Sequence, residues 1–140
     1  MTTTKHIIDC DASPFVLDDS WSIEEHRQGG QLEWDIKNIS LYLTESQETG
    51  SVARHELRKE FIDKPVLNTC VLDYLLKKCH LIPEEWKGKA ILFWGTIYCR
   101  PDGVLCVLCL YWHFWRWNCY YCRLDFPDMD SGYPAAVLAS

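Results

Sequence analysis

Residues 105–123 read Leu-Cys-Val-Leu-Cys-Leu-Tyr-Trp-His-Phe-Trp-Arg-Trp-Asn-Cys-Tyr-Tyr-Cys-Arg, a stretch dense in aromatic residues that holds four of the chain's eight cysteines. Residues that favour β-strands fill 104–112, and a second strand-like run follows at 115–122 after a tight connection at His113 and Phe114. We therefore predict an antiparallel hairpin here. This hairpin decides the fold class.

The residues before the hairpin extend the same sheet. The segment 90–98 is rich in strand-forming residues, and Arg100-Pro101-Asp102-Gly103 follows it. Proline at the second position and glycine at the fourth are typical of a type I turn. The pattern therefore predicts an antiparallel sheet over residues 90–140.

The middle of the chain predicts two helices. Apolar residues over 66–79 recur at the spacing of a buried helical stripe, and Ser51 can cap a helix that continues to Phe61 and ends before Pro65. Alternation at 31–36 and 40–43 predicts half-buried strands, with a loop at 44–50. Residues 1–30 read as an irregular lead-in.

Length and order together predict one α+β domain. A chain of 140 residues can bury its own core. We assign 1–30 to the lead-in, 31–89 to strands and two mid-chain helices, and 90–140 to a C-terminal antiparallel sheet.

Charge and hydropathy restrict the partners. The chain has 20 acidic and 14 basic residues, a net charge of -6, and only Arg116 and Arg123 lie among the aromatics of the hairpin. Nucleic-acid binding needs a basic surface, so we expect no nucleic-acid partner. Neither a signal-peptide run nor a membrane-length apolar run is present, which predicts a cytoplasmic protein without a membrane partner. Display at a cell surface by another route stays open.

The cysteines allow two readings. Cys106-x-x-Cys109, followed after nine residues by Cys119-x-x-Cys122, has the spacing of a four-thiolate zinc site. Residues three apart in an extended strand, however, point to opposite faces of the sheet. We therefore expect no metal or cofactor, and keep a small zinc-stabilised interaction module built on these four cysteines as the alternative.

We also expect no enzymatic activity. Cys119 with His113 could imitate a thiol and base pair, but the sequence shows no third group to orient such a base. A phosphate-binding glycine-rich loop, a nucleophile elbow and a His-Glu-x-x-His helix are all absent from the sequence.

The aromatics point to recognition instead. Strand alternation buries every second side chain, so we expect Trp94, Trp112, Trp115 and Trp117 mainly in the core and the remaining aromatics at the surface. Exposed Tyr, Phe, His and Arg provide contact area for a protein partner. Such a surface also predicts some self-association.

Several segments resemble one known class of protein. Leu110-Tyr111-Trp112, Arg116-Trp117-Asn118 and Pro134–Ser140, together with Tyr121 and Leu124-Asp125, resemble the variable proteins of bacterial diversity-generating retroelements. In these systems a reverse transcriptase rewrites the 3' end of the target gene with errors at adenines. The segments 80–89 and 93–98 look like the invariant body of such proteins, so the likeness covers about the last 60 residues.

The resemblance implies a fold, a function and a set of positions. It implies a C-type-lectin-like fold and a non-enzymatic protein whose hypervariable C-terminal surface, from about residue 105, binds an unknown protein ligand. Randomised Asn codons yield Tyr, Cys, Phe, His, Asp, Ser and Arg. The diversified, ligand-binding positions that it implies are Cys106, Cys109, His113, Phe114, Asn118, Cys119, Tyr120, Cys122, Arg123, Phe126, Asp128, Asp130, Ser131 and Tyr133.

Overall fold

The structure, a computed structural model, describes residues 5–125 and 128–139. In chain order its elements are β1 (Ile7–Asp9), β2 (Ser22–His26), β3 (Gln31–Glu33), β4 (Ile39–Tyr42), α1 (Glu45–Thr49), α2 (Arg54–Glu60), α3 (Thr69–Lys77), β5 (Ile91–Leu92), β6 (Thr96–Cys99), β7 (Leu105–His113), β8 (Arg116–Arg123) and β9 (Ala135–Leu138). They form one α+β domain. Among the helices described, none is both long and apolar enough to cross a lipid bilayer.

One large sheet organises the domain. Its strand order is β2-β6-β7-β5-β9-β4, and β8 pairs with the opposite side of β7. The β5–β9 pair is parallel and the other pairs of this sheet are antiparallel. A small second sheet joins β1 to β3. The long strand β7 is therefore central, with β8 as an edge.

The sheet is covered on both faces. Helix α3 packs Val71, Leu72 and Leu75 into one apolar cluster, and α2 contributes Leu57 to the other, together with Phe61 just after the helix. A strand that is buried on both faces reads as a continuous apolar run instead of an alternating one. This explains the unbroken apolar character of residues 105–110.

Two local predictions are confirmed. The backbone N–H of Gly103 donates to the carbonyl of Arg100 at 2.9 Å, which closes the turn between β6 and β7. Helix α3 lies within the predicted range 66–79, and the Asn68 side chain caps it by accepting from the N–H of Cys70.

Other expectations were wrong. The lead-in contains β1 and β2, which pair with distant strands, and residues 45–49 of the expected loop form α1, where Thr44 and Gln47 make a reciprocal capping box. Helix α2 begins at Arg54 without a side-chain cap, so Ser51 does not start it. The single strand expected over 90–98 is two, β5 and β6, on either side of Gly95.

Candidate functional site

The two faces of the β7–β8 hairpin have different surroundings. The two strands pair in continuous register, from His113 opposite Arg116 at the turn to Cys106 opposite Arg123 at the other end. Side chains that face the α3 side are Cys106, Leu108, Leu110, Trp117, Cys119 and Tyr121, and those that face the α2 side are Leu105, Val107, Cys109, Tyr111 and Cys122. The α3 side is covered along most of the hairpin, whereas Tyr120, on the α2 side of β8, stays exposed.

The four hairpin cysteines do not converge. Cys106 and Cys119 belong to the cluster at α3, while Cys109 and Cys122 belong to the cluster at α2. Within residues 5–125 and 128–139, no group of three or more His, Cys, Asp or Glu side chains is placed to hold a metal ion. The geometry therefore does not form the four-thiolate zinc site, because residues three apart in a strand point to opposite faces.

Cys109 and Cys122 do come together. They are diagonal neighbours on one face, and a hydrogen bond between the two thiols is the largest cause of a raised pKa at Cys109 and a lowered pKa at Cys122. The charge of Arg54 lowers the pKa of Cys122 further. Cys109 therefore retains its proton more strongly, and Cys122 is the more acidic thiol of the pair.

Two of the expected ligand-binding residues are inaccessible. Cys106 is 0% and Cys109 is 4% exposed. Both lie on β7, which has neighbouring strands on both edges and packed side chains on both faces. The prediction that these two positions contact a ligand directly is therefore wrong.

The tip of the hairpin carries the most exposed aromatics of the described chain. Phe114 is 79% and Trp115 is 88% exposed, so the expectation that Trp115 is core was wrong. Both have positive φ, 51° and 63°, as the central residues of a two-residue type I′ turn require. Asn118 holds this turn, since its Nδ2 donates to the carbonyls of His113 and Arg116 at 3.1 and 3.0 Å.

The other tryptophans are more sheltered. Trp94 is buried, and Trp112 and Trp117 are half-buried and pack edge to face with ring centroids 5.4 Å apart. The ammonium of Lys87 lies 3.9 Å from the centre of the Trp112 ring. Trp94 therefore lies in the core as expected, whereas Trp112 and Trp117 are only partly buried.

A shallow depression of about 350 Å³ gathers several of the expected positions. Its lining is Arg54, Tyr120, Tyr121, Cys122, Arg123 and Tyr133. The Arg54 guanidinium donates to the carbonyl of Arg123 at 2.7 Å, and the Arg123 guanidinium makes two hydrogen bonds to Asp125 at 2.9 and 2.8 Å. Sequence reasoning missed Arg54, because it lies on α2, 69 residues before Arg123 in the chain.

The remaining expected positions lie in other surroundings. Asp128, Asp130 and Ser131 are exposed in the loop before β9, where the Ser51 hydroxyl donates to Asp128 at 3.4 Å. The Gln47 side chain anchors this loop by donating to the carbonyls of Asp130 and Tyr133. Cys119 is half-buried beside α3, and Phe126 lies outside the described residues.

A second thiol and imidazole pair lies elsewhere in the fold. Cys70 Sγ is 3.7 Å from His26 Nε2, which the sequence had not singled out. His26 Nε2 is also 3.1 Å from the carbonyl oxygen of Ala12, which can only accept, so this nitrogen carries the hydrogen. It therefore cannot accept a proton from Cys70, and burial raises the pKa of the Cys70 thiol further. Cys70 is therefore not an activated nucleophile, and the contacts of this pair are structural.

Buried thiols predict a loss of stability at alkaline pH. Burial raises the pKa of Cys106 from 9.0 to about 11, so the unfolded chain releases this proton at lower pH than the folded chain. Stability is therefore expected to fall between about pH 9 and 11, by on the order of 1–3 kcal/mol from this thiol. Urea unfolding across this range should show a smaller fall in the Cys106→Ala variant. Equal falls in both proteins would contradict the prediction.

No protein-family model matches the chain, and no curated protein or solved structure is significantly similar to it. Its function is therefore inferred from its own residues.

Proposed function

We propose that this protein is a non-enzymatic ligand-binding protein whose C-terminal recognition surface is diversified by a retroelement. One observation carries the proposal. Every expected variable position that the structure describes from His113 onward is exposed or half-buried, whereas Phe93, Trp94, Ile97 and Tyr98 of the expected invariant body are buried.

This distribution is what a mutagenised gene requires. Substitution in a packed core costs stability, whereas most surface substitutions change it by less than about 0.5 kcal/mol. A protein whose gene is rewritten repeatedly at its 3' end therefore retains its fold only if the altered side chains lie outside the core. Cys106 and Cys109 do not meet this condition, so we exclude them from the proposed recognition surface.

The surface also has the chemistry of a binding site. The tip presents Phe114, Trp115 and Arg116, and the depression presents Tyr120, Arg123 and Tyr133. Aromatic and Arg side chains are enriched at the anchors of protein interfaces, because they provide a large contact area at a small entropic cost. We propose a protein ligand. We include the C-type-lectin-like fold in the proposal because α2 and α3 precede the C-terminal strands β5 to β9 of the sheet.

Sequencing of the gene's neighbourhood tests the proposal. We expect a reverse-transcriptase gene and a template repeat of the 3' end nearby, with differences from the template confined to its adenines. The segment that encodes β5 and β6 is the internal control and should not vary. Variation spread evenly over both segments, or the absence of a template repeat, would overturn the proposal.

A further inference from the structure

The outer edge of β8 has main-chain groups that no described residue satisfies. In an antiparallel pair, residues alternate between those that bond across the ladder and those that point away from it. The two residues that flank the turn, His113 and Arg116, bond across it, so the N–H and C=O groups of Trp117, Cys119 and Tyr121 point outward. No hydrogen bond from the described chain reaches these groups.

Three other hydrogen bonds agree with this alternation. The N–H of Leu124 donates to the carbonyl of Leu105 at 2.9 Å, as the ladder predicts one step beyond the strand. On the other side of β7, the N–H of Phe93 donates to the carbonyl of Leu108 at 3.0 Å, so Leu108 does not bond to β8. The carbonyl of Arg123 points outward and accepts from Arg54.

The edges of the large sheet at β2 and β4 have features that prevent pairing with another strand, and the edge at β8 lacks these features over its interior. Strand β2 carries Glu24 and Glu25, and its register shifts between Ile23 and Glu25. Strand β4 has only four residues. Strand β8 has eight residues in continuous register, and its interior, 117–122, contains neither a charge nor a proline. Charges, bulges and short length are the means by which proteins prevent edge-to-edge pairing.

We propose that the β8 edge pairs with the β8 edge of a second copy of this chain, antiparallel and across a two-fold axis at Cys119. In this register Trp117 pairs with Tyr121 of the second copy, and all three outward residues bond. The neighbouring register, with the axis at Tyr120, would bring the N–H of Trp117 of the second copy to the carbonyl of Arg123, where the Arg54 guanidinium is already bound at 2.7 Å and would crowd the incoming strand. The observed Arg54 contact therefore favours the register centred on Cys119, which does not use the Arg123 carbonyl.

The charges permit this self-pairing. Arg116 would lie opposite Cys122 of the second copy, so no like charges face one another across the new ladder. Trp117 opposite Tyr121 is an aromatic cross-strand pair, which favours association. A symmetric contact of this kind closes after two copies, so a dimer and not a fibre is expected. This pairing follows from the geometry of β8 alone and is independent of the proposed retroelement origin.

Sedimentation equilibrium of the purified protein tests the proposal, with Cys119→Pro and Cys119→Ala as matched variants. Both variants remove the thiol, but only proline removes the outward N–H, and this N–H is not part of the β7–β8 ladder. The wild type and Cys119→Ala are expected to dimerise, and Cys119→Pro to dimerise at least about tenfold more weakly. A wild type that is monomeric at every concentration, or a Cys119→Pro variant that dimerises like Cys119→Ala, would overturn the proposal.

A second pair of variants decides the question if Cys119→Pro does not fold. Tyr120 is 54% exposed and lies beside the proposed axis, so its replacement leaves the core intact. In the proposed dimer, residue 120 of one copy is a diagonal neighbour of residue 120 of the other, at a distance of roughly 7–8 Å on the same face of the sheet. Tyr120→Lys would therefore place two like charges near each other, whereas Tyr120→Gln adds no charge. We expect Tyr120→Lys to dimerise measurably more weakly than Tyr120→Gln, because like charges on neighbouring cross-strand positions repel. Equal dimerisation of the two variants would place the contact elsewhere on the protein.

Discussion

Replacement of Gly95 by alanine is expected to destabilise the fold by about 2–4 kcal/mol, or to prevent folding. A Cβ at this position would lie 2.8 Å from the backbone Cα and N of Asn68 and from the backbone carbon of Leu67. These are main-chain atoms, so no side-chain rotation can relieve the contact. Asn68 caps α3 and donates to the carbonyls of Cys10 and Arg27, so the displacement would loosen several elements together.

Urea unfolding monitored by tryptophan fluorescence measures this effect. The control is Gly132→Ala, where the one described atom that the added methyl group would meet within 4 Å belongs to the side-chain carboxylate of Asp130, at 3.2 Å. Asp130 is exposed and can move, so this variant should cost less than about 1 kcal/mol. A Gly95→Ala protein as stable as the Gly132→Ala protein would show that α3 does not lie this close to the sheet.

The opposite effect is expected at the hairpin tip. Phe114 and Trp115 both have positive φ, which costs a side-chain-bearing residue about 1–2 kcal/mol. Asn-Gly is the preferred pair for a type I′ turn, because both residues tolerate this conformation. The double variant Phe114→Asn/Trp115→Gly is therefore expected to be more stable than the wild type by about 1–3 kcal/mol, seen as a higher urea midpoint at equal protein concentration.

The control for this prediction is the double variant Phe114→Ala/Trp115→Ala. It removes the same aromatic surface but keeps side chains at both strained positions. The Asn-Gly protein should be more stable than the Ala-Ala protein. If the two were equal, a change in stability would come from the lost aromatics and the strain would be absent. Strain retained beneath two exposed aromatics is consistent with selection for binding at the tip over stability.

Local patterns were sufficient for the strands β6, β7 and β8 and for helix α3. The Pro-Asp-Gly turn predicts the β6–β7 hairpin, and the aromatic run predicts β7 and β8 to within about a residue at each end. Helix α3 also follows from its apolar spacing. Each of these elements is encoded by neighbouring residues, through turn chemistry or through the periodicity of burial.

Non-local pairing was not visible in the sequence. Strand β2 is mostly polar, and it pairs with β6, whose residues lie 70 to 77 positions later in the chain. Strand β9 likewise depends on β4 and β5. The capping box of α1 was present in the sequence as Thr44-x-x-Gln47, so this helix could have been predicted. The interruption of the strand at Gly95 could not be predicted from the sequence, because it depends on how closely the backbone at the start of α3 approaches the sheet.

The sequence by itself determined that residues 105–123 form a hairpin rich in aromatics and cysteine, because strand alternation and turn residues act locally. Only the tertiary structure decided which of these side chains are exposed and can contact a ligand. It buries Cys106 and Cys109, exposes Trp115 and joins Arg54 to the carbonyl of Arg123. Among the strands described, it pairs β8 with β7 alone. The physical reason is that exposure and main-chain satisfaction depend on which distant elements pack against a strand, and periodicity within that strand does not contain this information.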